Sequence, residues 1–314
     1  MGNTYVLRKG VAGLEDLRGG GNALGLGVGN VYRVIPSTEA YYDQFIADHQ
    51  YEHSDGSLAV HTTIQSALDA CTAWRNDYVI VQPTDGFSLT TALTMSKAHV
   101  HLICPSGLRG QAAFGGAYLF QTGAAEKVIE ISAKGCEVAG FQFLNYVNVN
   151  HILIDSGGHN AWIHDNFFHL RGSTTEGVAA IQTGSGVYYT MIAHNNFQPS
   201  ISGITFASII AIDQLDNGWS KVTDNSILIS DGCTATIGIK ATGYKAEVSR
   251  NIVAELPASG ASGAGTVTTA IVYDEGAIAV DNRLCVANTA DLSGGGTYTA
   301  QNNISGASGG AISG

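Results

Sequence analysis

The sequence predicts an all-β solenoid, a coil of short strands stacked rung upon rung. Three observations predict it. The first is a phrase that closes an apolar run on a polar turn: Trp162-Ile163-His164-Asp165-Asn166-Phe167, Ile192-Ala193-His194-Asn195-Asn196-Phe197 and Lys221-Val222-Thr223-Asp224-Asn225. Fainter copies follow, so the recurring Asn falls at Asn166, Asn196, Asn225, Asn251, Asn282 and Asn303, intervals of 21 to 31 residues. Such a period is that of a solenoid repeat. The second is another apolar alternation about a dozen residues before each phrase, as in Ile152-Leu153-Ile154, Ile209-Ile210-Ala211-Ile212 and Ala270-Ile271-Val272. Two strands and a turn are therefore expected per rung. The third is composition: 45% hydrophobic but only 13% charged, with 40 glycines against 5 prolines, suits many tight turns and few breaks in a ladder.

A single rung has no partner for its apolar residues and leaves its backbone N–H and C=O groups pointing up and down unpaired; stacking resolves both deficits. Asn suits the turn because it tolerates left-handed backbone better than most residues, and stacked Asn side chains can bond along the axis as a ladder. On these phrases the chain resembles the right-handed parallel β-helix family, which includes pectate-lyase-like enzymes and many phage tail and capsid-surface proteins. The resemblance spans about residues 60 to 304. It implies a right-handed single-stranded parallel β-helix with an N-terminal arm and a capping helix.

In chain order, residues 1–56 read as an arm and short helix, 57–304 as the β-helix, and 305–314 as a Gly/Ser-rich tail. The arm carries Arg8, Lys9 and Arg18 among glycine runs, and such ends are expected to be held by neighbouring subunits. A helix is expected from Pro36 to about Gln50, capped by Ser37, with Tyr41, Tyr42, Phe45 and Ile46 on its apolar face. A second is expected from Thr62 to Trp74, opened by a Thr62/Gln65 capping box, with Ile64, Leu68 and Cys71 on one face. In the resembled family such a helix covers the open end of the coil. The glycine-rich stretch 107–123 reads as a loop or a wide rung, and Gly140 as standing where Asn166 stands one rung later; about nine coils are expected in all.

Charge and termini narrow the function. A net charge of −11 argues against nucleic acid, whose backbone asks for a basic face. No run reaches the ~18 apolar residues of a membrane span, and the N-terminus lacks the apolar core of a signal peptide. The five cysteines are odd in number and lack C-x-x-C spacing, which favours buried thiols in a chain made in a reducing cytoplasm.

Four features bear on chemistry. His49-Gln50-Tyr51-Glu52-His53 matches an inverted zinc-protease pattern, but it runs into a turn and reads as a solvated helix end, so no metal is expected. Asp165, Asn195 and Asp224 read as one column with no arginine in it, Arg171 and Arg250 lying elsewhere in their rungs, and both acids read as turn residues. His164 and His194 read as equivalent positions one rung apart, too few for a metal. Trp162, Tyr189, Trp219 and Tyr244 precede the ladder at varying offsets and suit a subunit interface, a packed column or a glycan. No cofactor is expected.

The family resemblance implies two roles. One is a non-enzymatic structural protein of a bacteriophage virion, on the capsid or in a tail spike or fibre, homo-oligomeric, with a trimer foremost, and in contact with other virion proteins. The alternative is a polysaccharide lyase or glycoside hydrolase acting on an acidic or bacterial surface glycan. Three carboxylates, or acids with an arginine, converging in a groove would overturn the structural role in favour of the enzyme.

Overall fold

The computed structural model describes residues 29–312 apart from 51–52, 54–55, 84–85, 106–115, 123–126, 146–149, 171–178, 200–202, 214–218, 231, 243–244, 257–263, 274–276, 287–291, 295–298, 302 and 306–310. Most of the arm, the glycine-rich tail, Glu52, Arg171 and Tyr244 thus lie outside the described residues.

Among the described residues three sheets of 11, 10 and 8 strands run side by side along the coil, each strand pairing in parallel with its counterpart in the next rung except Ala311–Ile312, which folds back antiparallel on Asn303–Ser305. This is a right-handed parallel β-helix. A rung has three strands rather than two: Trp162–His164 in the first sheet, Phe167–Leu170 in the second and Ile181–Thr183 in the third. The second-sheet strands were hidden in the sequence because they begin directly after the Asn turn, so phrase and strand read as one element. Strand Tyr118–Gln121 shows that part of the 107–123 stretch is a second-sheet rung.

Alternation points every second residue inward, and the parallel register stacks like on like. The first sheet contributes the column Val79, Leu102, Val138, Ile163, Ile192, Val222, Val248 and Ala279, all buried. The second contributes Phe143, Phe168 and Phe197, whose rings stack at 4.7 Å and 9°, then 4.6 Å and 11°. Each Val, Leu, Ile or Phe among them contributes roughly 1.5–3 kcal/mol of burial. Cys71, Cys104, Cys136 and Cys233 are buried free thiols within it, but Cys285 is exposed. Cys285 falls on an outward position of strand Arg283–Cys285, which spacing alone did not reveal.

Helix α1 is Tyr42–His49, shorter than expected, and its N-cap is Tyr41 without a side-chain bond rather than Ser37. His53 is not solvated: it is buried, bonded to the Val31 carbonyl at 2.7 Å and set edge-on to Tyr32. Helix α2 is Ile64–Ala70, and its cap is Thr63, not Thr62: Thr63 Oγ1 accepts from Ser66 N at 3.2 Å. Ile64, Ala67 and Leu68 bury its inner face. Gln65 has a different task from the capping box. Its Oε1 accepts from Thr94 N at 2.9 Å and its Nε2 donates to Thr94 O at 3.4 Å, closing the otherwise open edge of the third sheet at strand Leu93–Met95. Among the described residues no helix is long and apolar enough to cross a membrane.

Candidate functional site

The corner between the first and second sheets is built on two adjacent columns. The inner one is Asn166, Asn195, Asn225, Asn251, Asn282 and Asn303, all buried. From Asn195 onward each Oδ1 accepts both the backbone N–H and the Nδ2 of the Asn one rung earlier, and each Nδ2 also reaches a carbonyl of the preceding rung, such as Val138 O from Asn166. The ladder therefore contains Asn195 rather than Asn196, which lies one place on, beside Phe167 and Ser226 in the second sheet.

The left-handed residue is the one before the Asn, not the Asn itself. Asp165, His194, Asp224, Arg250 and Asp281 have φ of 53°, 56°, 58°, 55° and 56°. In the preceding rung Gly140, at 81°, matches Asp165, while Phe141 takes the ladder position and donates its N–H to Asn166 Oδ1. This reversal turns the five polar side chains outward. Two sequence-based alignments change as a result. His194 is level with Asp165, and Ala193 rather than His194 is level with His164. Arg250, moreover, does stand in the column of Asp165 and Asp224.

These side chains line a groove of about 820 Å³ whose walls include Trp162, His164, Asp165, His194, Asp224 and Ser226. Acids and an arginine do converge here. Arg250 holds Asp224 by both oxygens, Nε to Oδ1 at 2.8 Å and Nη2 to Oδ2 at 2.7 Å, and bonds Thr223 Oγ1 at 2.7 Å. That bond holds the Asp224 carboxyl below its ordinary range and raises Arg250 further above neutrality.

On the first-sheet wall Glu137 lies between two histidines. It accepts from His101 Nδ1 at 2.6 Å and His164 Nε2 at 2.7 Å, while His164 Nδ1 meets Asp165 Oδ2 at 2.8 Å. Burial works against the charge on Glu137, but the two histidine bonds outweigh it and bring its pKa down to about 2. Burial likewise opposes a charged His164, yet Asp165 and Glu137 raise its pKa overall. Trp162 stacks on His164 at 3.8 Å and stays 42% exposed, so it is not a core residue. Tyr189 and Trp219 are exposed too, on the opposite edge of the first sheet. Sequence reasoning missed Glu137 and His101, which sit in rungs without the Asn phrase; their only signal was an outward position on an alternating strand. Among the described residues no group of three His, Cys, Asp or Glu is arranged to hold a metal.

Neither a family model nor a curated protein matches the chain. Solved structures that it resembles include a pectin methylesterase in complex with hexasaccharide VII, at 8% identity and TM-score 0.38, and an aspartate-to-alanine mutant of pectin methylesterase with hexasaccharide IV, at 9% and 0.37. Both alignments cover 90% of this chain and 91% of the other.

Proposed function

We propose that the protein is a non-enzymatic structural β-helix of a bacteriophage particle, a stiff rod that decorates the capsid or forms part of a tail spike or fibre. One observation carries the non-catalytic half of this reading: the carboxylates in and beside the groove are engaged by basic side chains. Glu137 is shared by two histidines, Asp165 is bonded to His164, and Asp224 is clamped by Arg250. Sugar hydrolysis asks for one carboxylic acid that keeps its proton near neutrality, and Glu137 and Asp224 are both shifted the other way. A lyase asks for a base, and a clamped guanidinium is a poor one. The virion half rests on the family resemblance and on a low-charge surface suited to a durable scaffold.

The assembly is a homo-oligomer, with a trimer foremost, joined through the arm and to other virion proteins. Removing residues 1–28 spares strand Val31–Val34, which pairs with Asp77–Val81. The truncated protein is expected to lose its oligomeric mass by light scattering while keeping its circular dichroism. A full-length protein that is strictly monomeric and absent from purified particles overturns the reading.

The second reading, a glycan lyase or hydrolase, is favoured by the convergence of Asp165, Asp224 and Arg250. Substrate displacing Arg250 from Asp224 would free a nucleophile or base. Asp165 stands two rungs from Asp224, roughly 10 Å at the usual strand spacing, near the wider separation used by inverting glycosidases.

A further inference from the structure

The N-terminal end of the coil closes its first and third sheets and leaves the second open. Strand Val60–His61 pairs along Val31–Val34 in the first sheet, and Gln65 takes the edge of Leu93–Met95 in the third. At the far end of the second sheet Ala311–Ile312 closes the edge of Asn303–Ser305. Its near end is Phe87–Leu89, which pairs with Tyr118–Gln121 on one side and, among the described residues, with no strand on the other. The cause lies in the course of the chain. After Val31–Val34 it leaves the coil at Pro36, which has no N–H to give a ladder, and no described residue forms the second-sheet strand of that rung.

The vacant place is a cleft of about 370 Å³ between the start of helix α2 and the sheet edge, walled by Pro36, Ile64, Phe87, Leu89 and Leu93. Leu89 spends its carbonyl on the Thr122 N–H at 2.8 Å. Alternate residues of a strand bond to opposite sides, so the exposed Ser88 turns its N–H and C=O into the cleft. Apolar walls beside an unpaired backbone edge make a site that accepts an added strand.

We propose that the cleft receives residues 4–8 of a second copy of this chain as an added strand, an inference that rests on the reading of the arm as the joining segment. Residues 1–28 precede the described coil, and within them Asn3-Thr4-Tyr5-Val6-Leu7-Arg8-Lys9 is the glycine-free stretch rich in strand-forming residues. Tyr5 and Leu7 share one face of such a strand, the face that matches Phe87 and Leu89. Topology favours another copy over the same chain. Each rung runs through the first, second and third sheets in turn, and Val31–Val34 lies one rung below Asp77–Val81, the strand that leads into Phe87–Leu89. The vacant place therefore follows Val31–Val34 in its rung, whereas an arm continuing the coil backward reaches the second sheet one rung lower. A neighbour's arm has no such constraint. Three copies that each give one arm and receive one close a ring. An added strand of this length holds weakly alone, and closure makes the three contacts act together.

The test compares the full chain with Ser88→Pro by light scattering and hydrogen exchange. Proline removes the cleft-facing N–H but no bond to Tyr118–Gln121. Its melting temperature is therefore expected to match the parent's, while association weakens at least about tenfold and the amides of residues 4–8 lose protection. Tyr5→Gly/Leu7→Gly, which alters no described residue, is expected to do the same. In the parent that protection should disappear on dilution to the monomer. Undiminished association in either variant would overturn the proposal, and loss of association on removing residues 1–28 would then leave arm-mediated assembly standing. Protection that survives dilution would place the arm on its own chain and overturn the proposal too. A parent that never associates would overturn both.

Discussion

Asn195 Oδ1 accepts two hydrogen bonds from Asn166, one from the backbone N–H and one from Nδ2, both at 3.1 Å. The same double bond joins Asn195 to Asn225, Asn225 to Asn251, Asn251 to Asn282 and Asn282 to Asn303. Each amide is thus satisfied by the rungs above and below, and a vacancy strands partners on both sides.

Asn225→Leu should therefore destabilise the protein by about 2–4 kcal/mol, because it leaves the backbone N–H and Nδ2 of Asn195 and the Ile192 carbonyl short of a partner inside the coil. Asn196→Leu, one place outside the ladder, should change stability by less than about 1 kcal/mol. Urea denaturation distinguishes the two; equal losses would mean that the bonds contribute little.

Gly140 shows what the corner demands where the ladder begins. A Cβ there would lie 2.0 Å from the Cys104 carbonyl oxygen, and φ is 81°. Gly140→Ala should cost at least about 2 kcal/mol from clash and strain together. His194→Gly at the equivalent corner, with φ of 56° and an exposed side chain, should be neutral or mildly stabilising. Thermal melts of both variants check the contrast.

The Glu137 cluster sets an acid limit. With its folded pKa depressed to about 2, Glu137 stabilises the fold fully above its unfolded value, and that contribution disappears as pH falls from about 4.5 toward 2. His164 has the opposite sign: its raised pKa stabilises fully below about 6.5 and is lost as pH rises through the folded value. Glu137→Gln should remove on the order of 2 kcal/mol at neutral pH and flatten the acid limb between pH 4.5 and 2. A limb as steep as the parent's would contradict the assignment.

His151 acts in a neighbouring window. It is buried edge-on to Phe168 at 5.7 Å, and burial pushes its pKa down to about 4. Because the unfolded imidazole takes up its proton first, stability should fall as pH drops from about 6.5 to 4. In His151→Leu that slope should become shallower, with His61 and His159, whose pKa values burial also lowers, retaining part of it, which melting temperatures across the window would show.

The coil was legible because its period is set by the chain: a buried polar column must repeat once per rung, and the Asn phrase repeats with it. The register was less so. In Asn195-Asn196 two candidates stand side by side, and choosing the second displaced His194 by one place; Arg250, by contrast, stands directly before Asn251 as Asp224 does before Asn225, an alignment the phrases already carried. A one-residue slip exchanges corner, ladder and strand positions, and nothing local distinguishes two adjacent asparagines. The left-handed residue was misread for a related reason, since Asp, His and Arg there share no common chemistry; they share only an exposed reversal whose strain the buried ladder maintains. Glu137 was out of reach because its partners stand 27 to 36 residues away. The groove pairings belong to the fold rather than to any motif.

In the proposed structural role the groove carboxylates hold the coil together and do no chemistry. The most direct measurement follows the chain length of alginate, hyaluronan and polygalacturonate after prolonged incubation with the purified protein, reading both new reducing ends and unsaturated ends. Unchanged chain lengths are expected. Shortening that disappears in Asp165→Asn or Asp224→Asn would contradict that role and establish the groove as an active site.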